Sequence, residues 1–186
     1  MILNKAAFID RDGVINKDYG YVHEWKDFEF CDGVFEGLKR LIELGYIIII
    51  ITNQSGIARG LFTEYQYKKL TANMINFLKQ KNINITAIYH CPHHPDYSNN
   101  FSTVCNCRKP KPGLFIKASK EFNISMKHSI AIGDSERDLV AAKLAGIKNR
   151  YFIINQKTNS HNNNFQTDNY TSTFKSLFDC SISLES

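Results

Sequence analysis

Tyr46-Ile47-Ile48-Ile49-Ile50-Ile51-Thr52 is an unbroken, largely β-branched run. It shows no alternation of polar and apolar positions, so it reads as a strand covered on both faces, the habit of parallel sheets. The preceding segment, Asp32 to Leu44, places Val34, Leu38, Leu41 and Ile42 on one helical face and closes at Gly45. Upstream, Ala6 to Ile9 is a shorter apolar run ending at Asp10. Downstream, Thr63 and Gln66 have capping-box spacing, and Tyr67, Leu70, Met74, Phe77 and Leu78 follow at helical intervals. Ala87 to His90 reads as a strand, Pro112 to about Phe122 as a helix, and Ser129 to Ile132 as a strand. Ser135 to Ala145 reads as a helix closed by Gly146, and Tyr151 to Ile154 as a last strand. The segment from Gln156 to Asn169 reads as a mobile loop before a short helix near Phe174 to Phe178. Strands alternating with helices predict an α/β fold, a parallel sheet with helices on both faces. Ligands then bind beyond the carboxyl ends of the strands. Asp10, Thr52 and Asp134 each follow a strand and are expected at one edge.

A length of 186 residues suits one domain spanning 1–186. With 43% hydrophobic and 22% charged residues the composition is globular, which excludes wholesale disorder. No apolar run approaches the roughly 18 residues of a membrane span. Met1-Ile2-Leu3-Asn4-Lys5 lacks a signal-peptide pattern, so a cytoplasmic protein with no membrane partner is expected. The net charge of +5 fits nucleic acid, a membrane surface or a phosphorylated substrate. Its basic residues are scattered apart from Arg108-Lys109-Pro110-Lys111, so no extended nucleic-acid stripe is visible.

The chemistry-bearing residues fall at strand ends. Phe8-Ile9-Asp10-Arg11-Asp12-Gly13 sets two carboxylates two apart. Alone this pair also fits a helix-capping turn; a calcium loop is disfavoured because Ile15 stands where the sharp-turn glycine belongs. Thr52-Asn53-Gln54-Ser55-Gly56 offers hydroxyl and amide donors, Arg108-Lys109 offers charge, and Gly133-Asp134-Ser135-Glu136-Arg137-Asp138 adds two carboxylates. A nucleophilic carboxylate, phosphate donors and acidic metal ligands are the requirements of phosphoryl transfer. The five cysteines, Cys31, Cys91, Cys105, Cys107 and Cys180, are an odd number, against a disulfide framework. Cys91, His93 or His94, Cys105 and Cys107 supply three thiolates and one imidazole, a closed structural zinc set on a loop of about 91–107. Such a site would pin the loop and position Arg108-Lys109.

In order and spacing, the four segments from Ala6 to Gly146 resemble the haloacid dehalogenase-like (HAD) phosphotransferases. The resemblance implies a HAD-like Rossmannoid fold without a large cap domain. It assigns Asp10 as the nucleophile forming an aspartyl-phosphate and Asp12 as acid, then base. Mg²⁺ would be held by Asp10, the Asp12 carbonyl and Asp134, with Asp138 behind them. Thr52 and Asn53 would bind the transferring phosphoryl and Lys109 would neutralise it. Asp18-Tyr19-Gly20-Tyr21-Val22-His23, Thr52 to Gly60, Cys91-Pro92-His93-His94-Pro95 and Cys107-Arg108-Lys109-Pro110 further resemble the heptose bisphosphate phosphatase family. That likeness implies removal of the C7 phosphate of D-glycero-D-manno-heptose 1,7-bisphosphate, in the supply of ADP- or GDP-heptose precursors for surface glycans such as lipopolysaccharide. It favours His93 as the zinc ligand and places Asp18, Tyr19, Gly20, Tyr21, Thr52, Asn53, Gln54, Ser55, Arg108 and Lys109 at a sugar bisphosphate, in a monomer. Ser135 departs from the lysine common at that position. Histidinol-phosphate phosphatase is the nearest rival, and a zinc-stabilised nucleic-acid-binding module on an inactive HAD core is the rival of another class.

Overall fold

The computed structural model describes residues 3–97, 101, 104–155 and 167–184. Six strands, β1 (Lys5–Ile9), β2 (Tyr46–Asn53), β3 (Ala87–Cys91), β4 (Ile130–Gly133), β5 (Asn149–Ile153) and β6 (Ser172–Phe174), form one sheet. Their order is β3-β2-β1-β4-β5-β6 and every pairing is parallel. The helices are α1 (Val34–Glu43), α2 (Glu64–Gln80), α3 (Gly113–Glu121), α4 (Glu136–Leu144) and α5 (Leu177–Ile182).

Both faces of the central strands are apolar because both are covered. Ala7 and Ile9 of β1, with Ile48 and Ile50 of β2, pack with Leu38 and Leu41 of α1, Leu70 and Met74 of α2 and Leu177 of α5. The intervening residues Ala6, Phe8, Ile49 and Ile51 pack on the other face with Phe115 and Ala118 of α3 and Ala141 and Ala142 of α4. The period of two that the sequence hides reappears as a choice of face. Gly37 lets α1 approach α5: a Cβ there would lie 2.8 Å from the Leu177 carbonyl carbon.

The predicted elements are present, with two corrections at the C-terminal end. Phe174 ends a strand rather than starting a helix, since Tyr151, Phe152 and Ile153 pair with Ser172, Thr173 and Phe174. The last helix starts at Leu177, where Ser176 Oγ accepts the Asp179 N–H at 3.0 Å as its cap. Of the mobile loop expected over 156–169, residues 156–166 lie outside the described residues and 167–169 form a 3₁₀ turn. The long connection after β1 holds its course through Trp25, Phe28, Phe30, Phe35 and Phe77, whose rings lie within 6.3 Å of one another in successive pairs. Among the described residues it folds back as a loop with one 3₁₀ turn (Trp25–Asp27), and no large cap intervenes. No helix among the described residues is long and apolar enough to cross a membrane.

Candidate active site

At β1 and β4 the chain's direction of winding changes, and their carboxyl ends open a crevice. Asp10 leaves β1 there, its N–H donating to Ile132 O at 3.0 Å, and Asp134 leaves β4 beside it. Ligand oxygens of Asp10, Asp134 and Asp138 lie within 4.8 Å of one another. Gly13 permits this approach: it has φ +85°, and a Cβ would fall 1.9 Å from Asp134 Oδ2. Lys109, 2% exposed, reaches in with Nζ 2.9 Å from Asp10 Oδ1 and 2.8 Å from Asp138 Oδ1, and donates to Ile51 O at 2.6 Å.

Burial, then the charge of Asp138, push the Asp10 carboxyl up to about 7 despite the pull of Lys109. Asp134 is likewise raised, by burial and then by Asp10 and Asp138. One lysine does not neutralise three crowded carboxylates, and Asp138 Oδ1 receives no well-directed hydrogen bond. A hard cation with oxygen ligands fits this donor set. Asn155 donates to Asp134 Oδ2 at 2.7 Å, leaving Oδ1 for a metal. Asp138 is anchored from behind by the Ser135 N–H at 3.1 Å.

Asp12 stands apart from that trio. Its Oδ1 accepts from Arg11 Nη2 at 2.8 Å and Asn16 Nδ2 at 3.1 Å, and its Oδ2 from Gln54 Nε2 at 2.9 Å. Burial works against ionisation, but Arg11, Asn16 and Gln54 together outweigh it and Asp12 sits below its ordinary range. It is therefore held as the carboxylate. Arg11, only 1% exposed, also donates to Val22 O at 3.0 Å and lies over the Tyr67 ring.

Thr52 is buried and accepts from Gln54 Nε2 at 2.8 Å, so its own O–H remains to donate. Asn53 supports the site from the neighbouring strand end. Its side chain exchanges two 3.1 Å hydrogen bonds with the Lys109 backbone, fixing the lysine. Ser55 stands two residues on, half-buried. Asp18 accepts the Gly20 N–H at 2.9 Å, and Tyr19, Gly20 and Tyr21 line an open cavity of about 410 Å³ with His23 and Lys26. That cavity's lining contains none of the three clustered aspartates.

The zinc ligands expected from sequence come together. Cys107 Sγ lies 3.2 Å from Cys91 Sγ and 3.1 Å from Cys105 Sγ, with Cys91 to Cys105 at 3.6 Å. His93 Nδ1 lies 3.2 Å from Cys107 Sγ and 3.7 Å from Cys91 Sγ. A tetrahedron with Zn–S bonds of about 2.3 Å has edges of about 3.7 Å, so the four groups fit a metal with a small outward adjustment. No disulfide competes, as all five cysteines are free. His94 turns its ring nitrogens toward Arg59 and Asp96 instead. The loop is fastened to α3 by Gly113 N–H donating to Asn106 O at 3.0 Å, an approach that a Cβ at Gly113 would block. Cys105→Ser is expected to lower both bound zinc and melting temperature, with a loss of several degrees. Metal analysis and calorimetry of the variant check this; unchanged zinc content would contradict it.

Sequence reasoning missed Arg11, Asn16 and Asn155. Each acts across a turn or between strands, where local pattern carries no signal.

A family model described as polynucleotide kinase 3 phosphatase matches residues 5–172. The D-glycero-alpha-D-manno-heptose-1,7-bisphosphate 7-phosphatase of Photorhabdus laumondii is 49% identical over 151 residues, 81% of this chain and 82% of the relative. The corresponding beta-named enzyme of Pasteurella multocida is 45% identical over 151 residues, 81% of this chain and 82% of that one. A solved structure of D,D-heptose 1,7-bisphosphate phosphatase from B. bronchiseptica, complexed with magnesium and phosphate, superposes with a TM-score of 0.83 at 28% identity. That superposition covers 96% of this chain and 97% of the neighbour. With the fold, the aspartate cluster and these likenesses together, the chain belongs to the heptose-1,7-bisphosphate 7-phosphatase family of HAD phosphatases.

Proposed function

We propose that this protein, a single domain over residues 1–186, is a Mg²⁺-dependent phosphatase that removes the C7 phosphate of D-glycero-D-manno-heptose 1,7-bisphosphate. The observation that carries the reading is Asp10, buried at a strand end with Lys109 at 2.9 Å and two further carboxylates beside it. Its substrate identity draws on relatives 45–49% identical over about four fifths of the chain.

Asp10 attacks phosphorus through the oxygen that does not face Lys109, giving an aspartyl-phosphate and the sugar alkoxide. Mg²⁺, held by Asp10, Asp134 and the Asp12 carbonyl with Asp138 supporting, supplies charge neutralisation for the phosphoryl oxygens. Lys109 and the Thr52 hydroxyl stabilise charge on the same group. Asp12 is ionised in the free enzyme, the form required of a base. To act as acid it takes up a proton from solvent as the anionic ester binds beside it, passes that proton to the leaving oxygen, and then, again a carboxylate, accepts a proton from the water that attacks the aspartyl-phosphate. The cysteine-histidine loop, with a structural zinc on Cys91, His93, Cys105 and Cys107, holds Arg108 and Lys109 in register.

Arg108 grips the anomeric phosphate and thereby presents the primary C7 ester to Asp10. Asp18, Tyr19, Gly20, Tyr21, Gln54 and Ser55 border the sugar. Arg108→Ala is expected to cut kcat/KM for the bisphosphate about tenfold or more while costing a simple monophosphate much less. Rates on heptose bisphosphate, fructose bisphosphate, histidinol phosphate and a 3′-phosphorylated oligonucleotide test the assignment. A preference for histidinol phosphate or the oligonucleotide would overturn it. The protein works as a cytoplasmic monomer; the scattering of its basic residues apart from Arg108-Lys109-Pro110-Lys111 supports the part of this reading in which it takes no nucleic-acid partner.

A further inference from the structure

Arg11 is the charged member of the three donors that orient Asp12, and it is almost wholly buried. Only one of its guanidinium nitrogens makes hydrogen bonds. Nη2 donates to Asp12 Oδ1 at 2.8 Å and to Val22 O at 3.0 Å, while Nε and Nη1 are shielded from solvent without a hydrogen-bond partner. A planar fork bonded through one nitrogen can pivot about it, and a buried cation carries a desolvation cost that one carboxylate offsets only in part.

The side chain that faces the rest of this cation is Tyr67. Arg11 Cζ lies 5.8 Å from the centre of the buried Tyr67 ring, within the range of a cation–π contact. The phenol hydroxyl makes no well-directed hydrogen bond, so the ring face is the part of Tyr67 that is engaged with Arg11. Two elements hold that ring. The capping box of Thr63 and Gln66 starts α2 and sets Tyr67 one turn into it. From β3 the His90 imidazole packs on the Tyr67 ring, with centroids 4.2 Å apart, and His90 Nε2 lies 3.5 Å from Glu64 Oε1 at the start of α2. Contacts thus run without a break from Glu64 through His90, Tyr67 and Arg11 to Asp12.

We propose that Tyr67 is a positioning residue for protonation of the leaving group: its ring fixes the plane of the Arg11 guanidinium and, through it, the aim of Asp12 at the leaving oxygen. The proposal rests on the reading of Asp12 as the acid. In that step the bond from Asp10 to phosphorus forms, the ester bond breaks, and the proton of Asp12 passes to the departing sugar oxygen. A sugar alkoxide needs that proton to leave, and a nitrophenolate does not. An effect of Tyr67 that runs through Asp12 therefore depends on the leaving group, whereas an effect on the fold does not.

The test measures kcat/KM for heptose 1,7-bisphosphate and for p-nitrophenyl phosphate in wild type, Tyr67→Leu, Tyr67→Met, Tyr67→Phe and Asp12→Asn. This ratio covers the steps up to loss of the leaving group, so it reads the acid role apart from the later attack of water. Leucine is expected to lower the value for the heptose ester about tenfold, the worth of a cation–π contact shut off from water, and that for the nitrophenyl ester by no more than about twofold. Phenylalanine keeps the ring face and should retain the wild-type value on both. Methionine, longer and more adaptable, gives the same comparison if the leucine cavity prevents folding. Calorimetry shows which variants are folded at the assay temperature. Equal losses on the two esters, no loss on either, or phenylalanine as damaging as leucine would overturn the proposal. Asp12→Asn should show the same split more strongly. Without a split there, the acid reading fails and the positioning role falls with it; a split in Asp12→Asn alone overturns only the positioning role.

Discussion

Asp10→Asn should lose turnover by about 10,000-fold or more, the scale on which removal of a covalent nucleophile is felt. The amide nitrogen or neutral oxygen of asparagine does not attack phosphorus as a carboxylate does. Its oxygen can still accept the Arg11 N–H, which lies 2.8 Å from Asp10 Oδ1, and can still meet Lys109. The fold should therefore survive. Stability without metal should even equal or exceed that of wild type, because burial and Asp138 already disfavour the charged Asp10. Circular dichroism and calorimetry beside a phosphate-release assay check both parts. Near-normal activity in this variant would remove the covalent mechanism.

Lys109→Met should damage both chemistry and folding. Methionine has a similar length but leaves Asp10 and Asp138 facing one another without the cation that now lies within 2.9 Å of both. Losing one partner of a fully buried ionic group costs about 3–5 kcal/mol. Losing one donor to transferring charge costs about 100- to 1,000-fold in kcat. The pH dependence has a definite sign. Lys109 now lowers the Asp10 carboxyl, so its removal pushes that group further above the ordinary range. A carboxyl whose folded pKa is raised binds more protons when folded, so stability falls as pH rises through the window from about 4 to about 7 and beyond. The melting-temperature deficit of metal-free Lys109→Met should accordingly shrink as pH is lowered from 8 to 5. A deficit independent of pH would show that the lysine acts by packing alone.

The central strands were legible because burial on both faces writes them as apolar runs, and β2 needs no partner to be recognised. The edge was not. Ser172, Thr173 and Phe174 offer one apolar residue among polar ones, and only pairing with Tyr151 to Ile153 makes them a strand. Helix α5 likewise depends on the Ser176 cap, a signal that any serine before an apolar pair could imitate. At the site, residues at strand ends could be read from order and spacing, since parallel topology sends them to one edge. The partners that tune them could not. Arg11 looks like a solvated charge between two aspartates, yet it is 1% exposed and holds Asp12 ionised. Nothing in the sequence tells that the Asn53 side chain grips the backbone of Lys109. Asn53 and Lys109 are 56 residues apart, and Arg11 is drawn inward by its bond to the Val22 carbonyl as well as by its neighbour Asp12; local propensity encodes neither arrangement.

The most direct measurement is ³¹P NMR of a reaction begun with D-glycero-D-manno-heptose 1,7-bisphosphate and Mg²⁺. The account predicts that the signal of the primary C7 ester disappears as inorganic phosphate grows, while the anomeric C1 phosphate remains on the sugar. A product that keeps its C7 phosphate, or a bisphosphate left intact by folded, metal-loaded enzyme, would contradict it.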